Sequence, residues 1–180
     1  MFGKRGMAVA LGSLLLVGST VVWAPAGQAG TGEGEGRGVT CTGSGESRYA
    51  PPLTLVPQPT HVHGDITYTC TVAPGHTVPA TGSSDSDLPE AVCVAVSGGS
   101  GVETVRYADG RRSLIVYDNA TTVRTAGVLL LEQSGHVVEG RGKGHPVRRT
   151  VAGPPRELPT DCLTSGLRGW SNGVQLEIQP

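Results

Sequence analysis

The sequence predicts an all-β protein, an antiparallel β-sandwich of about nine short strands. Short runs rich in valine and threonine recur along the chain, and β-branched side chains fit the pleated, half-buried surface of a sheet. No stretch has the 3.6-residue apolar spacing of a long amphipathic helix. The 28 glycines and 13 prolines supply the turns that many short strands require.

The amino terminus is typical of a cleavable secretory signal peptide. Lys4 and Arg5 precede an apolar run at residues 7–23, and small residues favoured by a signal peptidase follow it. The run is shorter than the roughly 20 residues of a membrane-spanning helix. We therefore expect cleavage after Ala26 or Ala29, a secreted product, and no stable membrane insertion of the mature protein.

We expect the chain to have three segments: a signal peptide at 1–29, a linker at 30–38 and one domain at 39–180. Every second residue of the linker is glycine, which loses the most backbone entropy on ordering, so we expect a flexible tether. The signal peptide holds two of the 14 basic residues and none of the 15 acidic ones. The remaining 12 basic and 15 acidic residues give a charge of −3, which does not favour nucleic acid as a partner.

The first half of the domain predicts three strands and a long loop. Residues 51–57 contain three prolines, which are typical of an edge strand because proline cannot donate to a central ladder. Residues 63–72 alternate apolar side chains with threonines, which predicts a half-buried strand. Residues 74–87 are rich in Gly, Pro, Ser and Asp and predict a surface loop, and a short strand follows at 91–96.

A β-hairpin is the clearest local prediction. The β-prone runs 102–108 and 111–117 flank Asp109-Gly110. A two-residue Asp-Gly loop favours a type I′ turn, because both central residues need positive φ. That loop would place Val105 opposite Leu114.

Four further strands are expected, at 123–131, 136–139, 147–151 and 174–178. The last has the cleanest alternation of apolar and polar side chains in the chain. In 147–151 Arg149 shares a face with two valines, which predicts a strand near a sheet edge.

The four cysteines are expected to form two disulfides. An even number of cysteines in an exported chain favours disulfides, and no Cys-x-x-Cys pair suggests a metal site. Three pairings are possible. We favour Cys41–Cys70, which would join the first strand to the next long one, and Cys93–Cys162, which would tie the middle of the domain to the loop before the last strand.

The order of these motifs resembles that of small exported proteins of actinobacteria. The resemblance covers nearly the whole domain and is carried by Tyr49-Ala-Pro-Pro-Leu-Thr-Leu, Tyr68-Thr-Cys, Arg106-Tyr-Ala-Asp-Gly-Arg, Gly135-His-Val-Val-Glu-Gly and Pro159-Thr-Asp-Cys-Leu. It implies an immunoglobulin-like sandwich with two disulfides. The role of those proteins is generally not established, and the shared motifs carry no catalytic residue to transfer.

The candidate metal ligands are His61, His63 and Asp65. Two histidines at i and i+2 on a strand project from the same face, and imidazole binds zinc or copper. The pattern resembles the His-x-His-x-Asp start of metallo-β-lactamases and the His-x-His of copper–zinc superoxide dismutases. However, Ile66 stands where the first family needs another histidine, and the other histidines do not fit the spacing of the second. Solvated histidines are the simpler interpretation, so no metal or cofactor is expected.

The candidate binding residues are Arg141, Lys143, Arg148 and Arg149, which form a basic run. Clustered cations attract polyanions, so an acidic envelope polymer or a secreted protein would be the partner. A solvated hairpin loop is the alternative. No aromatic residues interleave with these cations, which argues against nucleic acid.

Together these features predict a secreted, non-enzymatic binding or structural module, extracellular or associated with the cell envelope, whose ligand is unknown. No catalytic residues are identified, because the acids are scattered and the Ser/Gly run at 97–101 lacks the strand-to-helix context of a nucleophile elbow. Two alternatives remain open. One is a small metal-binding protein or metalloenzyme centred on His61, His63 and Asp65, and the other is a protease inhibitor that presents the loop 74–87.

Overall fold

Nine antiparallel strands form the fold in a computed structural model that describes residues 38–125, 128–153 and 160–180. The strands are β1 (Val39–Leu53), β2 (Gln58–Ala73), β3 (His76–Val92), β4 (Ala95–Ser97), β5 (Ser100–Tyr107), β6 (Arg112–Thr125), β7 (Val128–Gly140), β8 (Pro146–Ala152) and β9 (Leu167–Ile178). A 3-10 helix, Thr160–Leu163, precedes β9. The predicted signal peptide and linker residues 30–37 lie outside the described residues. In the described part of the chain, no helix is long and apolar enough to cross a membrane.

Eight of these strands close into one antiparallel barrel. Each pairs with its neighbours along the chain, and β1 pairs with β9 to close the ring. The ninth strand, β4, pairs with β3 and β6 at other positions than those that pair with β5. The all-β class is confirmed, but the predicted immunoglobulin-like sandwich is wrong. Two packed sheets would expose four edges, whereas each barrel strand has a partner on both sides.

Strand β3 explains most of the difference from the predicted fold. It covers most of the segment 74–87 that was expected to be a loop, and it joins β2 to β5. Its burial alternates with a period of two, as a strand with one solvated face requires. Its outward residues are mainly Thr, Ser, Asp and Pro, and several inward ones are Ala, Gly and Ser. The composition therefore resembles that of a loop, although the alternation is that of a strand.

Small inward residues on β3 leave room for large side chains from neighbouring strands. A Cβ atom at Gly82 would lie 2.8 Å from Cε2 of Tyr68 and 2.6 Å from Oε1 of Glu103. Such pairing of small with large inward residues is how small barrels fill their interior. Glycine at this position therefore allows the side chains of Tyr68 and Glu103, from the strands on either side, to meet over β3.

The predicted hairpin between β5 and β6 forms, but its loop has three residues instead of two. The N–H of Tyr107 donates to the carbonyl oxygen of Arg111 at 2.9 Å, which encloses residues 108–110. Gly110 has a φ of +83°, as expected for a three-residue loop that ends in a bulge. The longer loop moves the register by one residue, so that Val105 faces Ser113 and not Leu114.

Two other strand predictions are also corrected by the barrel. Of the predicted edge strand 51–57, residues 51–53 complete β1, and the rest connects β1 to β2. The strand that carries Arg149, β8, is not at an edge, because it pairs with both β7 and β9. Its inward face points into the barrel, so Arg149 is buried.

The barrel interior contains two apolar clusters, each with one disulfide. The first lies towards the end where tight turns join β2 to β3, β5 to β6 and β7 to β8, which we call the hairpin end; it includes the Cys41–Cys70 disulfide. The second lies at the opposite end, which we call the loop end, and includes the Cys93–Cys162 disulfide. Both pairs are those favoured from the sequence. Cys41 and Cys70 lie directly opposite each other on β1 and β2.

Removing either disulfide should lower the free energy of unfolding, and we expect the larger loss when the Cys93–Cys162 bond is removed. Its sequence separation is 69 residues against 29 for Cys41–Cys70. Loop-closure entropy then gives about 4.4 and about 3.6 kcal/mol. We expect Cys93→Ala/Cys162→Ala to lower the free energy of unfolding in urea more than Cys41→Ala/Cys70→Ala. The reverse order would show that packing of the hairpin-end cysteines outweighs chain entropy.

Candidate functional site

A cavity of about 90 Å³ lies inside the loop end of the barrel. Its apolar wall comes from residues of several strands: Tyr49, Leu53, Val62, Leu88, Val92, Val96, Leu131, Val151 and Trp170. Ala95 on β4 also lines the cavity and is exposed to solvent. The cavity therefore reaches the protein surface beside β4.

The inner side of the cavity is polar. Serine hydroxyls, two amides and one guanidinium line it, from Ser47, Ser84, Ser86, Gln133, Arg149 and Asn172, whereas the hydroxyl of Thr122 bonds to the backbone of Val96 on β4. Among the described lining residues there is no His, Asp, Glu or Lys. Arg149 is therefore the formally charged side chain of this wall.

Trp170 forms one wall of the cavity, and a glycine positions it. A Cβ atom at Gly153 would lie 1.8 Å from Cζ2 of the indole ring. The ring therefore packs directly on the backbone just after β8. In the β1–β9 register, Trp170 lies opposite Ser47. The hydroxyl of Ser47 accepts a hydrogen bond of 3.0 Å from Nδ2 of Asn172.

Tyr49 adds a second aromatic side chain to the wall. Burial raises its pKa to about 12, although a hydrogen bond with Ser47 acts in the opposite direction. The phenol is therefore protonated at neutral pH. Trp170 and Tyr49 together give the cavity two large, rigid apolar surfaces.

A buried carboxylate lies beneath the inner end of the cavity. Glu103 is fully buried, and both of its oxygens are hydrogen-bonded. The Tyr68 hydroxyl donates to Oε1 at 2.9 Å, and the Tyr117 hydroxyl donates to Oε2 at 2.7 Å. Burial and the nearby charge of Glu103 raise the pKa of both tyrosines. Both hydroxyls therefore stay protonated and act as donors.

Arg149 connects this carboxylate to the cavity. Its Nη1 donates to Oε1 of Gln133 at 2.9 Å, and its Nε lies 3.5 Å from Oε2 of Glu103. Burial by itself would lower the pKa of Arg149, but the charge of Glu103 raises it above its ordinary value. The guanidinium is thus charged, and its charge is balanced by one carboxylate.

This buried charge pair was not among the residues predicted from the sequence. The acids were interpreted only as scattered, yet Glu103 shares the inward face of β5 with Val105 and Tyr107. Arg149 was noted on an apolar face and was attributed to a sheet edge. In β5 and β8, Glu103 and Arg149 lie on the same face as apolar residues, and this alternation was the signal available in the sequence. A closed barrel turns that face of each strand inward.

The structure places His61, His63 and Asp65 together on the outer face of β2. Each histidine pairs with an aspartate of β3: Nδ1 of His61 lies 3.0 Å from Oδ1 of Asp87, and Nδ1 of His63 lies 2.9 Å from Oδ1 of Asp85. Asp65 is 3.4 Å from Nε2 of His63. Within residues 38–125, 128–153 and 160–180, no group of three His, Cys, Asp or Glu side chains could hold a metal ion.

The basic run does not form one surface patch. Arg141 pairs with Asp109 near the hairpin between β5 and β6, and Lys143 is exposed in the turn between β7 and β8. Arg148 and Arg149 are adjacent on β8 and point to opposite faces, outward and into the barrel. A single polyanion could not contact all four candidate residues together.

Comparison with known proteins finds no matching family model, no matching curated protein and no matching solved structure. The resemblance to exported actinobacterial proteins therefore stays a prediction, without the immunoglobulin-like fold that it implied.

The buried pair should show strong coupling in a double-mutant cycle. Glu103→Gln leaves the Arg149 charge uncompensated, and Arg149→Met leaves that of Glu103, so each should lower the free energy of unfolding by about 3–5 kcal/mol. The double variant should lose clearly less than the sum of the two. Urea unfolding measures all four corners of the cycle, and additive losses would contradict a coupled pair.

The outer histidines should make the protein more stable at mildly acidic than at mildly alkaline pH. Hydrogen bonds to Asp87 and Asp85 raise the pKa values of His61 and His63 above 6.5. A raised folded-state pKa gives stability that is complete below pH 6.5 and is lost as the pH rises through the folded value. The melting temperature should therefore fall less between about pH 6 and 8 in His61→Gln/His63→Gln than in the wild type.

The matched control for this pH series is His76→Gln, because His76 is exposed at the start of β3. It should leave the wild-type slope of melting temperature against pH unchanged. Equal slopes in all three proteins would contradict a contribution from the paired histidines.

Proposed function

We propose that this protein is an extracellular, non-enzymatic binding protein that holds a small molecule in the cavity at the loop end of the barrel. The observation that carries the proposal is the cavity itself, whose wall is apolar on most sides and polar at its inner end. Small-molecule sites typically combine an apolar lining with a few placed polar groups. An eight-stranded barrel is also wide enough to hold one small ligand.

The volume of the cavity limits the size of the ligand. About 90 Å³ is of the same order as the roughly 150 Å³ engineered cavity that binds benzene. The enclosed part of the ligand is therefore about one ring or a short branched chain. Any remaining part of the molecule would extend past Ala95, where the cavity reaches the surface.

The two disulfides support an extracellular location, because such bonds persist in oxidising compartments. The predicted signal peptide leads to the same compartment. Secretion is therefore part of the proposal.

The composition of the cavity wall supports binding over catalysis. General acid–base catalysis needs a side chain that can exchange a proton, most often His, Asp, Glu or Lys. The described lining residues include none of these four types. Serine and threonine hydroxyls alone are weak nucleophiles without an adjacent base.

The alternatives from the sequence have less support from the geometry. The inhibitor hypothesis depended on a protruding loop at 74–87, and most of this segment lies in a central strand of the barrel. The metal hypothesis depended on His61, His63 and Asp65, whose imidazoles pair with aspartates. An envelope polymer would need a joint basic surface, and the candidate cations are dispersed.

Blocking the cavity entrance tests the proposal. Ala95→Phe would fill the exposed entrance, whereas Ala108→Phe makes the same change at an exposed alanine of the hairpin end. The probes are acetophenone and ethylbenzene, each with a single six-membered ring. The readout is the indole N–H resonance of Trp170 in ¹H–¹⁵N spectra of the secreted protein, assigned by its loss in Trp170→Phe.

We expect a saturable shift of this resonance in the wild type and in Ala108→Phe, and a loss of the response in Ala95→Phe. Equal responses in the two phenylalanine variants, or no response to either probe in the wild type, would contradict the proposal.

A further inference from the structure

The inner end of the cavity presents hydrogen-bond donors to a ligand. Arg149 carries N–H donors and no acceptor. The oxygen of Gln133 accepts one hydrogen bond from Arg149, and the NH₂ group of Gln133 adds further donors. The serine hydroxyls of this wall can donate or accept, whereas Arg149 can only donate, so a ligand that reaches this end is favoured by an acceptor such as a carbonyl oxygen.

The same end offers no net charge to a ligand. The positive charge of Arg149 lies beside Glu103, with Nε and Oε2 3.5 Å apart. Glu103 itself is beneath the cavity wall, and both of its oxygens accept hydrogen bonds from tyrosines. The ligand would thus contact the donors of Arg149, while the charge behind them is already compensated.

A charged ligand would be penalised in this site. An anion would add a third, uncompensated charge to a buried pair, and burying such a charge is costly. A cation would approach the guanidinium of Arg149 without an acidic side chain among the described lining residues. An uncharged ligand avoids both costs and can still accept a hydrogen bond.

From these contacts we infer that the cavity selects an uncharged, ring-sized molecule with a hydrogen-bond acceptor at its inner end, and that Glu103 sets the preference for an uncharged ligand. Ketones, esters, amides and lactones belong to this chemical class. The apolar body of the molecule lies against Tyr49 and Trp170. This inference rests on the proposed function, because it names the ligand class for the same cavity.

Four probes of similar size test the effect of ligand charge and the effect of a hydrogen-bond acceptor separately: acetophenone, ethylbenzene, benzoate and benzylammonium. Titrations of the wild-type protein use the Trp170 resonance as before. We expect acetophenone to bind about tenfold more tightly than ethylbenzene, because it gains a hydrogen bond to a charged donor. Benzoate and benzylammonium should bind more weakly than ethylbenzene.

Glu103→Gln tests the role of the carboxylate directly. Without Glu103 the charge of Arg149 is uncompensated, so benzoate should become the most tightly bound of the four probes. Because a ligand that binds only the folded state stabilises it, benzoate should raise the melting temperature of Glu103→Gln but not that of the wild type. Tyr117→Phe is the matched control, since it removes one hydrogen bond to Glu103 and keeps the carboxyl group of Glu103.

The outcomes separate this inference from the proposed function. Equal binding of acetophenone and ethylbenzene would overturn the need for an acceptor, and tightest binding of benzoate by the wild type would overturn the preference for an uncharged ligand. In both cases the cavity would still be a binding site. No binding of any probe to the wild type would overturn the proposed function and the inference with it. If Glu103→Gln does not fold, the relative affinities of the four probes for the wild-type protein test the inference.

Discussion

The pairing of β1 with β9 determines the rest of the structure. It joins the first described strand to the last and turns a sheet with two edges into a closed ring. Closure satisfies the backbone hydrogen bonds that open edges would expose. It also gives each strand one inward face, so every second side chain must fit a limited interior. Small residues on β3, such as Gly82, meet that demand because they leave room for the side chains of Tyr68 and Glu103.

The buried pair of Glu103 and Arg149 separates the two ends of this interior. Towards the hairpin end, apolar side chains pack around the Cys41–Cys70 disulfide. Towards the loop end, packing is incomplete and the cavity remains. A polar layer of this kind needs its charges to be paired and hydrogen-bonded. The two tyrosines bond to Glu103 and Gln133 bonds to Arg149, while Nε of Arg149 lies 3.5 Å from Glu103 without a hydrogen bond.

The sequence predicted local structure better than the arrangement of strands. The all-β class, the hairpin at Asp109-Gly110 and the presence of two disulfides follow from β-propensity, turn chemistry and an even cysteine count, whereas the favoured pairing was one of three possible. Barrel closure could not be predicted, because β3 contributes a central strand with the composition of a loop. The orientation of the two inner charges could not be predicted either. Whether Glu103 and Arg149 face water or the interior depends on barrel closure, which no local sequence pattern encodes.

The buried pair also bears on the proposed binding function. Replacing a buried ion pair by apolar residues of similar volume is often neutral or stabilising, so stability alone does not account for Glu103 and Arg149. An apolar replacement would remove the charged donors of Arg149 from the inner end of the cavity and leave only the neutral hydroxyls and amides of that wall. Arg149 without Glu103 would instead favour anions. The pair together provides donors without net charge, which is the combination that an uncharged ligand with one acceptor requires.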